Sequence, residues 1–136
     1  LENIYKRHRV LAEATHAAVE VWSQAGTMSL NAIEPKERST AVTTILTDEG
    51  VDANMIRDVC RDEMMVGLGG GLGNLAGRAF RVGHMGDINA PMLFAALASI
   101  EATLSYLDIK FAPGGVTAAI EHVAKSKKVG TGPFSY

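Results

Sequence analysis

The sequence predicts an α+β fold: a small antiparallel or mixed sheet of three short strands, covered by helices on one face. Three observations carry that expectation. Ile4, His8, Leu11, Thr15, Ala18 and Trp22 recur at the three-and-four spacing that lines one face of a helix. Thr40-Ala41-Val42-Thr43-Thr44-Ile45-Leu46 is dense in β-branched residues, as strands are. Leu93, Leu97, Ile100, Leu104 and Leu107 form a second helical stripe.

Residues 3–25 read as one long amphipathic helix, with Asn3 as its N-cap and Gly26 where a C-terminal glycine stops a helix. Its solvated face carries Glu2, Lys6, Arg9, Glu13 and Glu20. A polar stretch, Asn31 to Ser39 with Pro35 inside it, leads to the first strand, and Thr47-Asp48-Glu49-Gly50 turns out of it. Asp52 then caps a short helix to about Asp62, with Ile56, Val59 and Cys60 inward. Met64-Met65-Val66 reads as the second strand and Ala79-Phe80-Arg81-Val82 as the third. Alternation along the third sets Phe80 and Val82 on one face and Arg81 on the other. Pro91 stands near the start of the next helix, where it is tolerated, and Ala95, Ala96 and Ala98 give that helix a slim side for close packing. Pro113-Gly114-Gly115 turns the chain into a last helix, roughly Val116 to Lys125. One domain over residues 1–126 follows, with 127–136, which lacks periodicity, expected as a disordered tail.

Composition narrows the function classes. The chain is 47% hydrophobic and 21% charged with a net charge of −2, the balance of a globular domain with a real core. With no basic excess and only 6% aromatic residues, it does not read as a nucleic-acid binder. The single Cys60 cannot form an internal disulfide, which with six methionines suits a reducing, cytoplasmic setting. No signal-peptide pattern opens the chain, and Phe134-Ser135-Tyr136 is not a peroxisomal address. Ala90 to Leu107 is interrupted by Glu101, Thr103 and Ser105, so it reads as a buried helix and not a membrane span. Leu1-Glu2-Asn3 runs straight into a helical pattern without an opening methionine, so the chain reads as a piece of something longer.

The stretch Gly69 to Gly86 holds seven glycines around Arg78 and Arg81. Each glycine loses more backbone entropy on folding than any other residue, so a cluster points to unusual backbone or to backbone close to a ligand. An arginine fixed beside it suggests a carboxylate or phosphate receptor. Gly71-Leu72-Gly73-Asn74-Leu75-Ala76 fits a dinucleotide fingerprint. That motif needs a helix N-terminus after the loop, whereas a β-prone run follows here and Gly77 would break a helix. There is no G-K-[ST], so no P-loop. A glycine-rich hairpin or Ω-loop without any ligand remains the plain alternative.

Arg81 also has two readings. It faces solvent or pairs with an acid such as Asp87, or, flanked by Ala79-Phe80 and Val82-Gly83, it is held for an anion. Arg78 reads as ordinary surface. His8, His16, His84 and His122 lack metal-ligand spacing, so no metal site is expected. His84, beside the loop, is either a pocket-lining group or a satisfied turn residue. Cys60 reads as packing, and Lys125, Lys127 and Lys128 as a solvated helix end.

Gly70-Gly71-Leu72-Gly73, followed by Gly77-Arg78-Ala79-Phe80-Arg81-Val82-Gly83-His84-Met85-Gly86, resembles the C-terminal small domain of the class V (fold type I) pyridoxal-phosphate aminotransferases. The likeness is to their serine–glyoxylate and alanine–glyoxylate group, whose pattern is a glycine loop and then G-[KR]-x-x-R-[IV]-G-[HL]-[ML]-G. Leu1-Glu2-Asn3 with Arg7-His8-Arg9, the segment Ala95 to Leu107, and Gly114-Gly115-Val116-Thr117-Ala118-Ala119 extend it to about residue 124. The resemblance implies that Arg81 binds the α-carboxylate of amino donor and oxo-acid acceptor. It implies that Gly70 and Gly71 lie along the active-site mouth and that His84 lines the pocket. The implied reaction is ping-pong transfer of an amino group from serine, alanine or aspartate to glyoxylate or a similar 2-oxo acid. The implied setting is a homodimer using pyridoxal 5'-phosphate. In that family the Schiff-base lysine, the aspartate on the pyridinium nitrogen and most phosphate contacts belong to a large domain upstream. None of Lys6, Lys36, Lys110, Lys125, Lys127 and Lys128 sits in the lysine motif. No catalytic or cofactor-binding residue is therefore expected here, and the chain alone is expected to be inactive. The competing reading is a stand-alone α+β amino-acid-binding or dimerisation module without catalysis.

Overall fold

The first apolar stripe becomes α1, Glu2–Trp22, in the computed structural model, which describes residues 1–129. The N-cap is Leu1 and not Asn3, which lies inside the first turn; the backbone N–H groups of Ile4 and Tyr5 close that turn on the Leu1 carbonyl at 3.1 Å each. A 3₁₀ turn, Ser23–Ala25, tightens the other end, and Gly26 at φ 81° takes the left-handed position that releases the chain.

The sheet has four strands where the sequence predicts three. β1 (Met28–Leu30) follows Gly26, β2 (Val42–Thr47) is the expected β-branched run, β3 is the pair Gly69–Gly70, and β4 is Ala79–Gly83. Their order is β1-β2-β4-β3, antiparallel throughout. The expected strand at Met64-Met65-Val66 does not form. Met64 completes α2 (Ala53–Met64), and Met65 at φ 57° ends it, with the Val66 N–H bonded to the Cys60 carbonyl at 3.1 Å. At the start of α2 the Asp52 carboxylate accepts from the amides of Asn54 and Met55 at 2.9 and 3.4 Å, the expected cap.

α3 (Ala90–Tyr106) is capped by Asn89, whose side chain accepts from the Met92 amide at 2.9 Å. α4 (Gly115–Val129) runs past residue 126, the expected domain boundary; the remainder of the expected tail lies outside the described residues.

Strand alternation sends Met28, Ile45, Phe80 and Val82 toward the helices. There they meet Leu11, Val19 and Trp22 of α1, Ile56 and Cys60 of α2, and Leu93, Leu97, Ile100 and Leu104 of α3 in one buried cluster. Each of the larger side chains contributes about 1.5–3 kcal/mol by leaving water. Cys60 is a packing residue of this cluster, and burial pushes its thiol pKa up. A part-buried polar link ties three helices together. Trp22 Nε1 donates to Glu101 Oε1 at 2.8 Å, and the Val116 amide in the first turn of α4 donates to the same oxygen at 3.3 Å. No helix among the described residues is long and apolar enough to cross a membrane.

Among the described residues, the opposite sheet face carries no α-helix. Val42, Thr44 and Leu46 of β2 and Arg81 of β4 stand there, each half-buried.

Candidate functional site

Register places Arg81 between two strands, across from Thr44 of β2 on one side and Gly69 of β3 on the other. Its side chain lies over β3, and Nε donates to the Gly70 carbonyl at 2.8 Å. This is its one side-chain hydrogen bond among the described residues, so Nη1 and Nη2 are without a protein partner. Asp87 does not pair with it, and the described ion pairs join Glu20 to Arg38, Asp58 and Asp62 to Arg61, and Glu13 to His122. A half-buried guanidinium held by Nε, with both terminal nitrogens free, presents the fork that grips a carboxylate through two parallel bonds.

Gly70 and Gly71 stand next to Arg81. Gly70 supplies the carbonyl that orients the guanidinium. The Gly71 amide donates to the Ala79 carbonyl at 3.0 Å, and a Cβ on Gly71 would strike the carbonyl of Leu75. Only glycine lets the loop fold back this closely. After it come a 3₁₀ turn, Gly73–Leu75, and then β4, so no helix N-terminus follows the glycines. Arg78 is exposed, consistent with a surface role.

His84 is elsewhere. It follows β4 on the helix-covered side, fully buried, and the structure does not bring it to Arg81's face. Nδ1 lies 3.1 Å from the Thr40 carbonyl and Nε2 lies 2.8 Å from Thr43 Oγ1. A carbonyl can only accept, so Nδ1 carries the proton and Nε2 accepts from the threonine hydroxyl. Burial lowers the His84 pKa to about 4, against the Thr40 bond that raises it, so the ring is neutral near pH 7.

A concavity of about 580 Å³ lies at another place, lined by Arg9, His16, Glu20, Lys36, Arg38 and His122 among others. Neither Arg81 nor the glycine loop borders it. Arg38 there is committed to the fold: it donates to Glu20 at 2.7 Å and to the carbonyls of Ala32 and Ile33 at 3.1 Å each. The guanidinium of Arg81 therefore lies outside this concavity, on the open sheet face.

Two arginines that sequence reasoning did not single out as site residues support this region. Arg57 of α2 donates from Nε to the Leu68 carbonyl at 3.2 Å, immediately before β3. Arg7 of α1 donates from Nη2 to the Gly86 carbonyl at 3.0 Å, holding the loop after β4. Arg57 directly follows inward-facing Ile56, a position at the flank of the α2 apolar stripe; that placement was its only sequence signal.

Comparison with known proteins adds an independent finding. The chain is 41% identical over 127 residues to the serine–glyoxylate aminotransferase of Methylorubrum extorquens, covering 93% of the chain and 31% of that protein. It is 36% identical over 123 residues to the L-aspartate–glyoxylate aminotransferase of Paracoccus denitrificans, covering 90% and 30%. In structure it is similar to pyridoxamine–pyruvate aminotransferase from Mesorhizobium loti, with a TM-score of 0.77 and 28% identity over 88% of this chain and 30% of that one. No family model matches. The chain spans about 30% of the length of the relatives it matches.

Proposed function

The chain is a homologue of the class V glyoxylate aminotransferases, corresponding to their C-terminal domain, and from that premise we propose that Arg81 receives the α-carboxylate of their amino-acid and oxo-acid substrates. One observation carries the reading. Arg81 stands half-buried on the open sheet face, fixed through Nε to Gly70, with no ion pair and no partner for either Nη group among the described residues. An arginine held in that way is poorly explained as surface decoration, because burying its charge is costly without an anion.

The whole protein is then a transaminase that moves an amino group from serine, alanine or aspartate to glyoxylate or a similar 2-oxo acid, acting as a homodimer. Residues 1–126 make up the small domain of that enzyme. Pyridoxal phosphate, when bound, supplies the electron sink for such chemistry. The described residues do not fit that group by themselves. Lys6, Lys36, Lys110, Lys125 and Lys127 are all exposed, and none belongs to β2, β3, β4 or the glycine loop. This chain thus contributes the carboxylate grip and not the reacting amine, and alone it is inactive. Gly70 and Gly71 shape the mouth beside the grip. His84, neutral and bonded to Thr40 and Thr43, serves the site by anchoring the end of β4 behind it.

Arg81→Lys in the full-length enzyme tests the reading. Lysine cannot form the planar two-bond fork, so the KM for amino donor and for oxo-acid acceptor should rise together, by about tenfold or more. A change confined to one half-reaction contradicts a shared carboxylate receptor. A full-length protein whose visible absorbance is unaltered by pyridoxal phosphate contradicts the transaminase reading and favours a binding or dimerisation module.

A further inference from the structure

β3 is an edge strand of two glycines, paired only to β4 in the order Gly69↔Arg81 and Gly70↔Phe80. It has no side chain with which to grip the core. Its ladder bonds alone would leave it prone to fray, since glycine weakens strands and gives the pleat nothing to pack. Yet its Gly70 carbonyl is the one group among the described residues that hydrogen-bonds the Arg81 side chain.

What holds β3 is a second arginine on its other side. Arg57 reaches from α2 and donates to the Leu68 carbonyl at 3.2 Å, with Nη1 steadied by Asn54 Oδ1 at 3.2 Å. Its guanidinium lies against Gly70, so close that a Cβ there would stand 2.7 Å from Nη1 and 2.9 Å from Cζ. On the open side, a Cβ on Gly69 would stand 3.2 Å from Arg81 Cβ and 3.3 Å from its Nε. The diglycine strand is thus layered between two guanidinium groups, one from the helix side and one from the open face.

We propose that Arg57 is a positioning residue for substrate binding: it fixes β3 from behind, β3 fixes the Gly70 carbonyl, and that carbonyl aims Arg81. The inference rests on Arg81 being the carboxylate receptor. A two-bond fork tolerates little misalignment, and an error of about 1 Å in a positioned group can cost on the order of a hundredfold in rate. Removing Arg57 also leaves the Leu68 carbonyl without its side-chain donor and opens a gap under Gly70.

The test is a double-mutant cycle in the full-length enzyme, reading KM and kcat for donor and acceptor separately. Arg57→Ala should raise both KM values by about tenfold while kcat falls much less, the pattern of lost binding. In an Arg81→Ala background, Arg57→Ala should add less than about twofold, because its effect passes through Arg81. Arg57→Lys keeps a donor for Leu68 but not the flat group under Gly70, so it should recover part of the loss. It also carries the test if Arg57→Ala does not fold. Full additivity of the two alanine substitutions overturns the inference, as do unchanged KM values in a folded Arg57 variant. If Arg81→Ala itself leaves both KM values unchanged, the receptor reading has failed; if it raises them and Arg57 is silent, only the positioning role has.

Discussion

The His84 and His16 rings meet edge to face in the interior, with centroids 6.3 Å apart and planes at 86°. Both are buried, and burial is the main reason each pKa lies near 4; for His16 the nearby Arg38 charge lowers it further, partly offset by Glu20. A histidine whose folded pKa is lowered is protonated first in the unfolded chain. Its stabilisation is therefore complete above the unfolded value near 6.5 and is lost as pH falls toward about 4. The expected slope in that window approaches about 1.4 kcal/mol per pH unit for each ring. Urea midpoints measured across it should fall, and His84→Gln should flatten the decline. A midpoint that stays level across the window contradicts the buried neutral pair.

Asp52 caps α2 through the amides of Asn54 and Met55. Asp52→Ala should lower stability by about 1 kcal/mol, read from chemical denaturation, while Asp52→Asn should cost only a fraction of that.

Glu101 is the shared acceptor for Trp22 Nε1 and the Val116 amide. Glu101→Ala leaves the buried indole N–H unsatisfied and should cost about 1–3 kcal/mol. Glu101→Gln retains an acceptor oxygen and gives up mainly the charge at the α4 N-terminus, about 0.3–1 kcal/mol. Equal losses for the two variants, measured by thermal or urea unfolding, would count against the hydrogen-bond account.

Arg81 packs on the open face, with no ion pair and a single side-chain bond, to a strand carbonyl, among the described residues. Arg81→Ala should therefore change stability by no more than about 0.5 kcal/mol. Unfolding of that variant would show that the arginine serves the fold and not a ligand.

Most helices were legible because their periodic stripes survive into the core: Leu11, Thr15, Ala18 and Trp22 in α1, and Leu93, Leu97, Ile100 and Leu104 in α3, are all buried. β2 and β4 were legible from β-branched content and alternation, and Arg81 opposite Phe80 and Val82 followed from the same parity. β1 was missed because Met28-Ser29-Leu30 is too short to show a period; its pairing with β2 decides its state. Met64-Met65-Val66 misled because its apolar run suits a strand, while the α2 stripe through Ile56 and Cys60 carries the helix on to Met64. β3 was invisible in principle, since Gly-Gly has the poorest strand propensity and only the β4 ladder makes it one. His84 could not be placed until the parity of β4 was carried one residue past its end, to the helix-covered side.

The odd and even positions at the centre of β4 answer to different demands. Phe80 and Val82 are constrained by the interior, whereas Arg81 between them stands half-buried on the open face, against β3. On the reading that Arg81 receives a carboxylate, substitution of its cross-strand neighbour Thr44 changes the surroundings of that grip and leaves the packing behind the sheet in place.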